Sequence, residues 1–560
     1  LVPLGQGERI GIVLGPEEGI SSVREDRIRD LLRGLDEEPR IPADLLNLAE
    51  RCAASLFCGP GTALRAILPP FFFRPDPVPS VLPPKDPGTS SLSFLHDPDD
   101  LRRWGSLAER LTDREGTLVL FPDAETAGRF FALLPEERRR GGLLWPAGGT
   151  AKRMIRAWEE ASTVSLVVGG PGAVGIPMTR LSRIVLDLEE SEAWRRKSAP
   201  LVSLRSIAAL RAVERGASLL LAGRLLSARA YLRGAPASPR PLATVRVIDP
   251  RIAPVSLPPH PGRLLLGRVL VALTGERLRA GGRVLWLLDR KGFAREVACV
   301  DCGTVLRCGR CGSEARCGRG KKEGESLLTC LSCGARVPLP LICPACGGRI
   351  LQGEYPGIEA LAEVARSLFP GFPVAEWTRE SGGSRERDRE ILSPLGEGGL
   401  LVGTRAALAL CDRGPIPLIA WIDAEAEARR PDYDARFRAM ELFAESMGRG
   451  GGRGRTVLLQ GHRTARVAAR WDLTSFWRSE LEERRTIGLP PFRLLLGLRG
   501  MPDRLGEAEA RLENRGIDAY RGQGRALWAS GSPSVLREAL SPLFRIEEAR
   551  NPLGIEIRTE

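Results

Sequence analysis

Short apolar runs alternate with amphipathic stretches along most of the chain. Between residues 91 and 247, runs of strand length stand at Thr117–Phe121, Leu143–Trp145, Val164–Val168, Arg183–Leu188 and Ser218–Ala222. Segments with helical spacing, such as Ala124–Leu134 and Ser206–Val213, lie between them. Strands that alternate with helices predict a parallel sheet in an α/β domain. A second series, Val284–Leu288, Val374–Glu376, Gly399–Val402, Leu418–Ile422 and Thr456–Leu459, predicts a second such domain over 260–298 and 351–485. Ahead of both, Pro42 opens a helix whose Leu45, Leu46, Leu48, Ala49, Cys52 and Ala53 share one face. A second helix, Gly61 to Leu68, stops at Pro69-Pro70, so 36–70 reads as a compact helical unit and 71–90 as a proline-rich linker. Beyond Pro490 a strand (Leu494–Leu498), a helix (Arg504–Arg515) and further strands predict a small α+β domain over 486–560. Apolar alternation from the first residue, without an initiating Met, predicts that 1–14 is the remnant of a β domain that began upstream.

Composition narrows the partners. A chain of 560 residues has room for three or more domains, and no apolar run reaches the length of a membrane span. The formal net charge of +13 favours a polyanion. Arginine carries nearly all of it, and a guanidinium offers phosphate two hydrogen bonds at once. An arginine bias also follows from a GC-rich genome, so charge alone does not decide for nucleic acid. Thiols read as reduced, with no secretory signal, lead to a cytoplasmic expectation.

The densest chemistry is a block at 299–350. It holds four Cys-x-x-Cys pairs: Cys299/Cys302, Cys308/Cys311, Cys330/Cys333 and Cys343/Cys346. Each pair offers two thiolates from one tight turn, and two pairs close a tetrahedral zinc shell, so the block is expected to hold two Zn2+. A disulfide framework does not suit a chain of this length without a signal peptide. Cys317 breaks the spacing and reads as a spare thiol, and Cys52, Cys58 and Cys411 read as core residues. His96, His260 and His462 are remote from the block, so the shells should be all sulfur.

Other motifs carry a resemblance. Asp289-Arg290-Lys291-Gly292-Phe293-Ala294 before the first cysteine, the gaps between the cysteines, Leu401-Val402-Gly403-Thr404 and Glu482-Glu483-Arg484-Arg485 through Gly488-Leu489-Pro490-Pro491-Phe492 resemble the primosomal protein N′ (PriA) family of replication restart helicases. Arg9-Ile10-Gly11-Ile12-Val13 resembles the end of that family's DNA-3′-end-binding domain, and Leu64-Arg65-Ala66-Ile67-Leu68-Pro69-Pro70 the end of its winged helix. The resemblance implies two tandem RecA-like helicase lobes, 91–247 and the divided second domain, with a two-zinc insertion. It also implies a winged-helix-like unit at 36–70, forked or branched DNA as ligand, and primosome, helicase-loading and single-stranded-DNA-binding proteins as partners. It implies nested zinc pairing: Cys299, Cys302, Cys343 and Cys346 on one ion, and Cys308, Cys311, Cys330 and Cys333 on the other.

The departures from that pattern concern ATP and Mg2+. Where a phosphate cradle G-x-x-x-x-G-K-[ST] belongs, the chain has Phe94-Leu95-His96-Asp97-Pro98-Asp99-Asp100-Leu101-Arg102, with no glycine nest and no lysine. Where D-E-x-H is expected, Asp187-Leu188-Glu189-Glu190 leaves Asp187 as the remaining metal contact and Leu188 in place of the water-polarising carboxylate. The S-A-T position holds Gly223-Arg224-Leu225, and the arginine-rich sixth motif reads Glu445-Ser446-Met447-Gly448-Arg449-Gly450-Gly451-Gly452. The expectation is therefore a DNA-binding restart protein that does not hydrolyse ATP. An active 3′-to-5′ helicase and a zinc-ribbon scaffold without DNA are the competing readings. Arg449, Arg453 and Arg455 are the candidate phosphate contacts. Gly170-Pro171-Gly172-Ala173-Val174-Gly175 fits a dinucleotide fingerprint, but no clear helix follows it. Pro146-Ala147-Gly148-Gly149-Thr150-Ala151-Lys152 echoes a phosphate loop with the wrong spacing and reads as a strand-to-helix turn, and Glu189 to Glu192 reads as a solvated loop.

Overall fold

The apolar runs assemble into two six-stranded sheets, each parallel throughout. The computed structural model describes residues 2–4, 7–13, 30–36, 40–55, 59–74, 90–112, 116–195, 203–257, 264–289, 294–299, 301–302, 304–310, 312, 315–319, 326–330, 335–349, 351–378, 385–396, 398–430, 432–522, 526–544 and 554–558. The chain forms two units. One contains Leu1–Asp97, Arg103–Ser238 and Leu473–Glu560, and the other Pro98–Arg102 and Pro239–Asp472.

In the first unit a small antiparallel pair, β1 (Val2–Leu4) and β2 (Gly7–Arg9), precedes the helices α1 (Ala43–Ser55) and α2 (Pro60–Ile67). The sheet then runs through β3 (Leu92–His96), α3 (Asp100–Arg110), β4 (Gly116–Leu120), α4 (Ala124–Leu133), α5 (Glu136–Arg140), β5 (Gly142–Leu144) and α6 (Ala151–Ala161). It continues through β6 (Leu166–Gly169), β7 (Leu181–Leu186), α7 (Leu204–Glu214), β8 (Ser218–Gly223) and α8 (Ala228–Leu232), in spatial order β3-β8-β7-β4-β6-β5. A strand buried on both faces calls for a run of apolar residues, and β4, buried at every position, supplies one in Leu118, Val119 and Leu120. Leu118 and Leu120 face the core shared with α1, α2 and α7, while Val119 joins Phe121, Trp104, Phe130 and Val185 on the other side. Each such side chain, fully buried, contributes about 1.5–3 kcal/mol.

In the second unit β9 (Thr244–Ile248), α9 (Arg268–Arg279) and β10 (Arg283–Leu287) lead into an antiparallel insertion. Its strands are β11 (Ala294–Cys299), β12 (Ala315–Arg319), β13 (Ser326–Cys330), β14 (Arg336–Pro338) and β15 (Leu351–Pro356). The parallel sheet resumes with α10 (Ile358–Leu368), β16 (Val374–Trp377), α11 (Arg385–Leu392), β17 (Gly399–Gly403), β18 (Leu418–Trp421), α12 (Ala435–Gly448), β19 (Thr456–Gln460) and α13 (Arg463–Arg470). Its order is β16-β17-β10-β18-β19-β9. The chain returns to the first unit with α14 (Leu473–Thr486), then β20 (Leu494–Arg499), α15 (Pro502–Glu513), β21 (Ala519–Gly522), β22 (Ala526–Gly531), α16 (Pro533–Leu540) and β23 (Gly554–Arg558), the expected α+β tail.

Three boundaries move from their expected places. The first lobe does not extend to 247, because β9 pairs with β19 from Thr244↔Thr456 to Ile248↔Gln460 and so completes the second sheet. The second lobe does not extend to 485, because α14 packs in the first unit, where Trp477 Nε1 donates to Leu226 O at 3.0 Å. The insertion is wider than 299–350, because β11 and β15 pair with each other and carry its limits to Ala294 and Pro356.

Candidate metal centre and nucleotide-site remnant

The insertion brings Cys299, Cys302, Cys343 and Cys346 together, their sulfurs all within 4.8 Å of one another. Cys299 Sγ lies 3.6 Å from Cys346 Sγ, and Cys302 Sγ 3.8 Å from Cys343 Sγ. Zn–S bonds of about 2.3 Å in a tetrahedron hold sulfurs about 3.8 Å apart, whereas a disulfide would bring them to about 2.05 Å. All four cysteines are free thiols in a geometry that fits a metal ion. Local turns set it up. Gly347 N donates to Cys343 O, Gly348 N approaches Cys346 Sγ at 3.4 Å, and Gly347 has φ +75, which favours glycine there. This quartet is the one that nested pairing requires.

Of the other four cysteines, Cys308 and Cys330 are buried, and Cys311 and Cys333 lie outside the described residues. The Cys308 turn repeats the knuckle: Gly312 N donates to Cys308 O at 2.8 Å and Arg310 N reaches Cys308 Sγ at 3.4 Å. Cys317 packs with Val297, Leu306, Ala315 and Leu328 in a small apolar cluster. Cys52 and Cys411 are buried as expected, and Cys58 lies outside the described residues.

Around Asp187 the structure departs from a metal-binding arrangement. Asp187 is fully buried just after β7. Arg103 grips it with two hydrogen bonds, Nε to Oδ1 at 2.7 Å and Nη2 to Oδ2 at 3.1 Å, and Trp104 Nε1 adds a third to Oδ2 at 2.9 Å. Arg103 and Trp104 stand on α3, directly after the segment that replaces the phosphate cradle, and Arg103 also donates to Asp97 O at 2.8 Å. A guanidinium thus neutralises the carboxylate that was expected to contact a metal. Sequence reading passed over this pair. Its signal was an arginine beside a tryptophan on an apolar helix face.

Glu189 and Glu190 are buried, not solvated, because their partners come from distant elements. His96 Nε2 donates to Glu189 Oε1 at 3.2 Å, Arg205 Nη1 to Oε2 at 2.8 Å and Ser227 N to Oε1 at 3.1 Å. Burial pushes the Glu189 carboxyl up, but His96, Arg205 and the Ser227 N–H outweigh it and hold it below the usual range. Glu190 Oε1 accepts from Arg224 N at 2.8 Å and Leu225 N at 3.3 Å, while Oε2 is buried without a partner. Burial, then the charge of Glu189, push Glu190 up to about 7. A Cβ on Gly223 would stand 2.0 Å from Glu190 Oε2, which accounts for glycine at that position.

The three candidate phosphate contacts separate. Arg455 is buried and donates to Ser446 O, Arg449 O and Ile416 O, so it braces the turn and is unavailable to phosphate. Arg449 is held by Asp412 at 2.8 Å and Glu445 at 2.5 Å. Arg453 is exposed. Within the second unit, Asp99 Oδ2 accepts the Gly452 N–H at 2.6 Å, an internal carboxylate on the glycine turn. The loop 170–175 is no dinucleotide site. Only a short 3-10 turn, Pro171–Ala173, follows Gly170, and a Cβ on Gly175 would meet Ile67 O at 2.1 Å.

Among the described residues no helix is long and apolar enough to cross a membrane. A family model described as the 3′ DNA-binding domain of PriA matches residues 1–69, taking in both the β1–β2 pair and the α1–α2 helices. The replication restart protein PriA of Thermotoga maritima is 30% identical over 228 residues, 40% of this chain and 30% of that protein. Its namesake in Bacillus subtilis is 23% identical over 347 residues, 59% of this chain and 43% of that one. That of Rickettsia felis is 24% identical over 413 residues, 69% of this chain and 62% of the relative. The chain thus spans less than two thirds of the length of these relatives. Among solved structures, the DUF1998 helicase MrfA bound to DNA aligns at TM-score 0.36 and 12% identity over 80% of this chain and 57% of that one. The fold itself, two RecA-like α/β sheets with a cysteine-rich insertion, is read from the strands above. By its sequence relatives and the match over its N-terminal residues, the chain is similar to replication restart proteins PriA over parts of their length.

Proposed function

We propose that this chain binds forked or branched DNA in replication restart, recruits helicase-loading partners, and does so without hydrolysing ATP. The match of residues 1–69 to a 3′ DNA-binding domain and the net charge of +13 support the DNA reading. The observation that carries the loss of hydrolysis is the Arg103–Trp104 grip on Asp187. Phosphoryl transfer needs a bound metal, a phosphate cradle and an oriented water. Here the metal-binding carboxylate is satisfied by three N–H groups. The cradle is replaced by acidic residues, and Leu188 cannot polarise water. Two Zn2+ ions would rigidify the insertion, whose own apolar cluster is small. The all-sulfur quartet fits one such ion, which would serve as structural ballast and take no part in chemistry.

The DNA reading is tested by fluorescence anisotropy of a labelled forked duplex across a salt series. Contact with several phosphates gives an affinity that falls steeply with salt, by about 10³-fold or more for six or more contacts between 50 and 200 mM. A chain that leaves the duplex free at low salt contradicts it.

A further inference from the structure

A second glycine turn, unused by the function above, opens on a cavity of about 600 Å³ in the first unit. The turn is Pro146-Ala147-Gly148-Gly149-Thr150, between β5 and α6. Its floor is apolar, formed by Trp145, Phe71 and Met154. Its wall carries three arginines, Arg65, Arg74 and Arg195. That volume lies within the range of ligand pockets, about 300–1,000 Å³.

Two independent features point to what would fill it. Trp145 is only 4% exposed, yet its Nε1 has no hydrogen-bond acceptor among the described residues. This N–H lies 3.8 Å from the place of a Cβ on Gly172, another residue of the cavity wall. Six other tryptophan N–H groups find acceptors, those of Trp104, Trp194, Trp286, Trp377, Trp421 and Trp477, whereas those of Trp158 and Trp471 are enclosed in the protein without one. The other feature is the N-terminus of α6, an 11-residue helix. Thr150 caps the Arg153 N–H at 3.4 Å, but Ala151 and Lys152 N–H have no acceptor among the described residues, and no acidic residue lies in the first turn. Unpaired N–H groups and the helix dipole favour an anion there.

We propose that this cavity holds one nucleotide. The base lies on the Trp145–Phe71–Met154 floor with an acceptor on the indole N–H. The phosphate faces the Gly148–Lys152 turn among the three arginines. An aromatic floor suits a base because every base has a π-face. The nucleotide comes either from a DNA strand, in which case the site deepens the DNA reading above, or from solution.

Photo-crosslinking distinguishes these sources. An oligonucleotide of iododeoxyuridine and, separately, free iododeoxyuridine monophosphate are irradiated with the full chain, and the adducts are mapped by peptide mass. Adducts on Trp145, Phe71 or Met154 are expected. Adducts from the oligonucleotide alone assign the site to a strand, and adducts from the monophosphate as well assign it to free nucleotide. Gly148→Glu fills the site without disturbing the fold, since a Cβ there meets nothing within 4 Å. It places a negative charge at the helix N-terminus and should cut adduct yield about tenfold or more. Arg195→Glu should act in the same direction and does not depend on the turn. Adducts absent from these residues with both probes, or unchanged in both variants, would overturn the proposal. So would competition by inorganic phosphate equal to that by the nucleotide, because the base would then not be read. A chain that fails to bind forked DNA defeats the restart reading alone, since the monophosphate arm still reports on the cavity.

Discussion

Arg103 decides the chemistry around Asp187 more than any residue of the expected nucleotide motifs. Both side chains are buried, and removing one partner of a buried pair strands the other charge. Arg103→Ala should therefore cost about 3–5 kcal/mol of stability, read by denaturant unfolding. Leu188→Glu should not restore ATP turnover, because the cradle and the metal contact are missing as well. Glu190 gives a pH dependence whose sign is fixed by its raised pKa. The folded chain holds that proton up to about pH 7, whereas the unfolded chain releases it near 4.5. The favourable contribution is full below about 4.5 and is lost as pH rises toward 7, on the order of 3 kcal/mol over the window. Glu190→Gln should flatten the melting profile between these values and raise stability at pH 8. A profile as steep as wild type would reject this account of Glu190.

At the level of elements, the two insertion turns make separable predictions. Cys343→Ser removes a ligand from the assembled quartet and should lower the zinc count by metal analysis. Cys330→Ser should lower it too if the second nested site forms. Cys317→Ser should leave the count unchanged, because Cys317 sits in the apolar cluster. In the glycine turn after α12, Arg455→Ala should destabilise the fold through its three lost carbonyl contacts, whereas Arg453→Ala should leave stability within about 0.5 kcal/mol. Periodicity made most of these elements legible, and ten of the twelve strands in the two sheets fall within a few residues of their expected positions, β3 and β9 being the two that were not foreseen. It could not reveal pairing. β9 looked like the end of the first lobe because it follows β8 in sequence, but its partner β19 lies more than two hundred residues away. The run Glu189–Glu190 looked solvated for the same reason, since His96, Arg205, Ser227 and Arg224 reach it from other elements. The cysteine quartet was legible because each knuckle is local, and the nested pairing came from family resemblance.

For the whole molecule, the proposed role in replication restart rests on DNA binding and not on a motor. The net charge makes DNA affinity salt-dependent whether or not ATP is used, so binding alone does not separate the two readings. Turnover does. The decisive measurement is steady-state ATP hydrolysis by the full chain with Mg2+ and saturating forked DNA, beside Asp187→Ala. The account predicts no turnover above that of the variant, since Arg103 and Trp104 already occupy the carboxylate that a metal would need. DNA-stimulated hydrolysis that Asp187→Ala abolishes would contradict it.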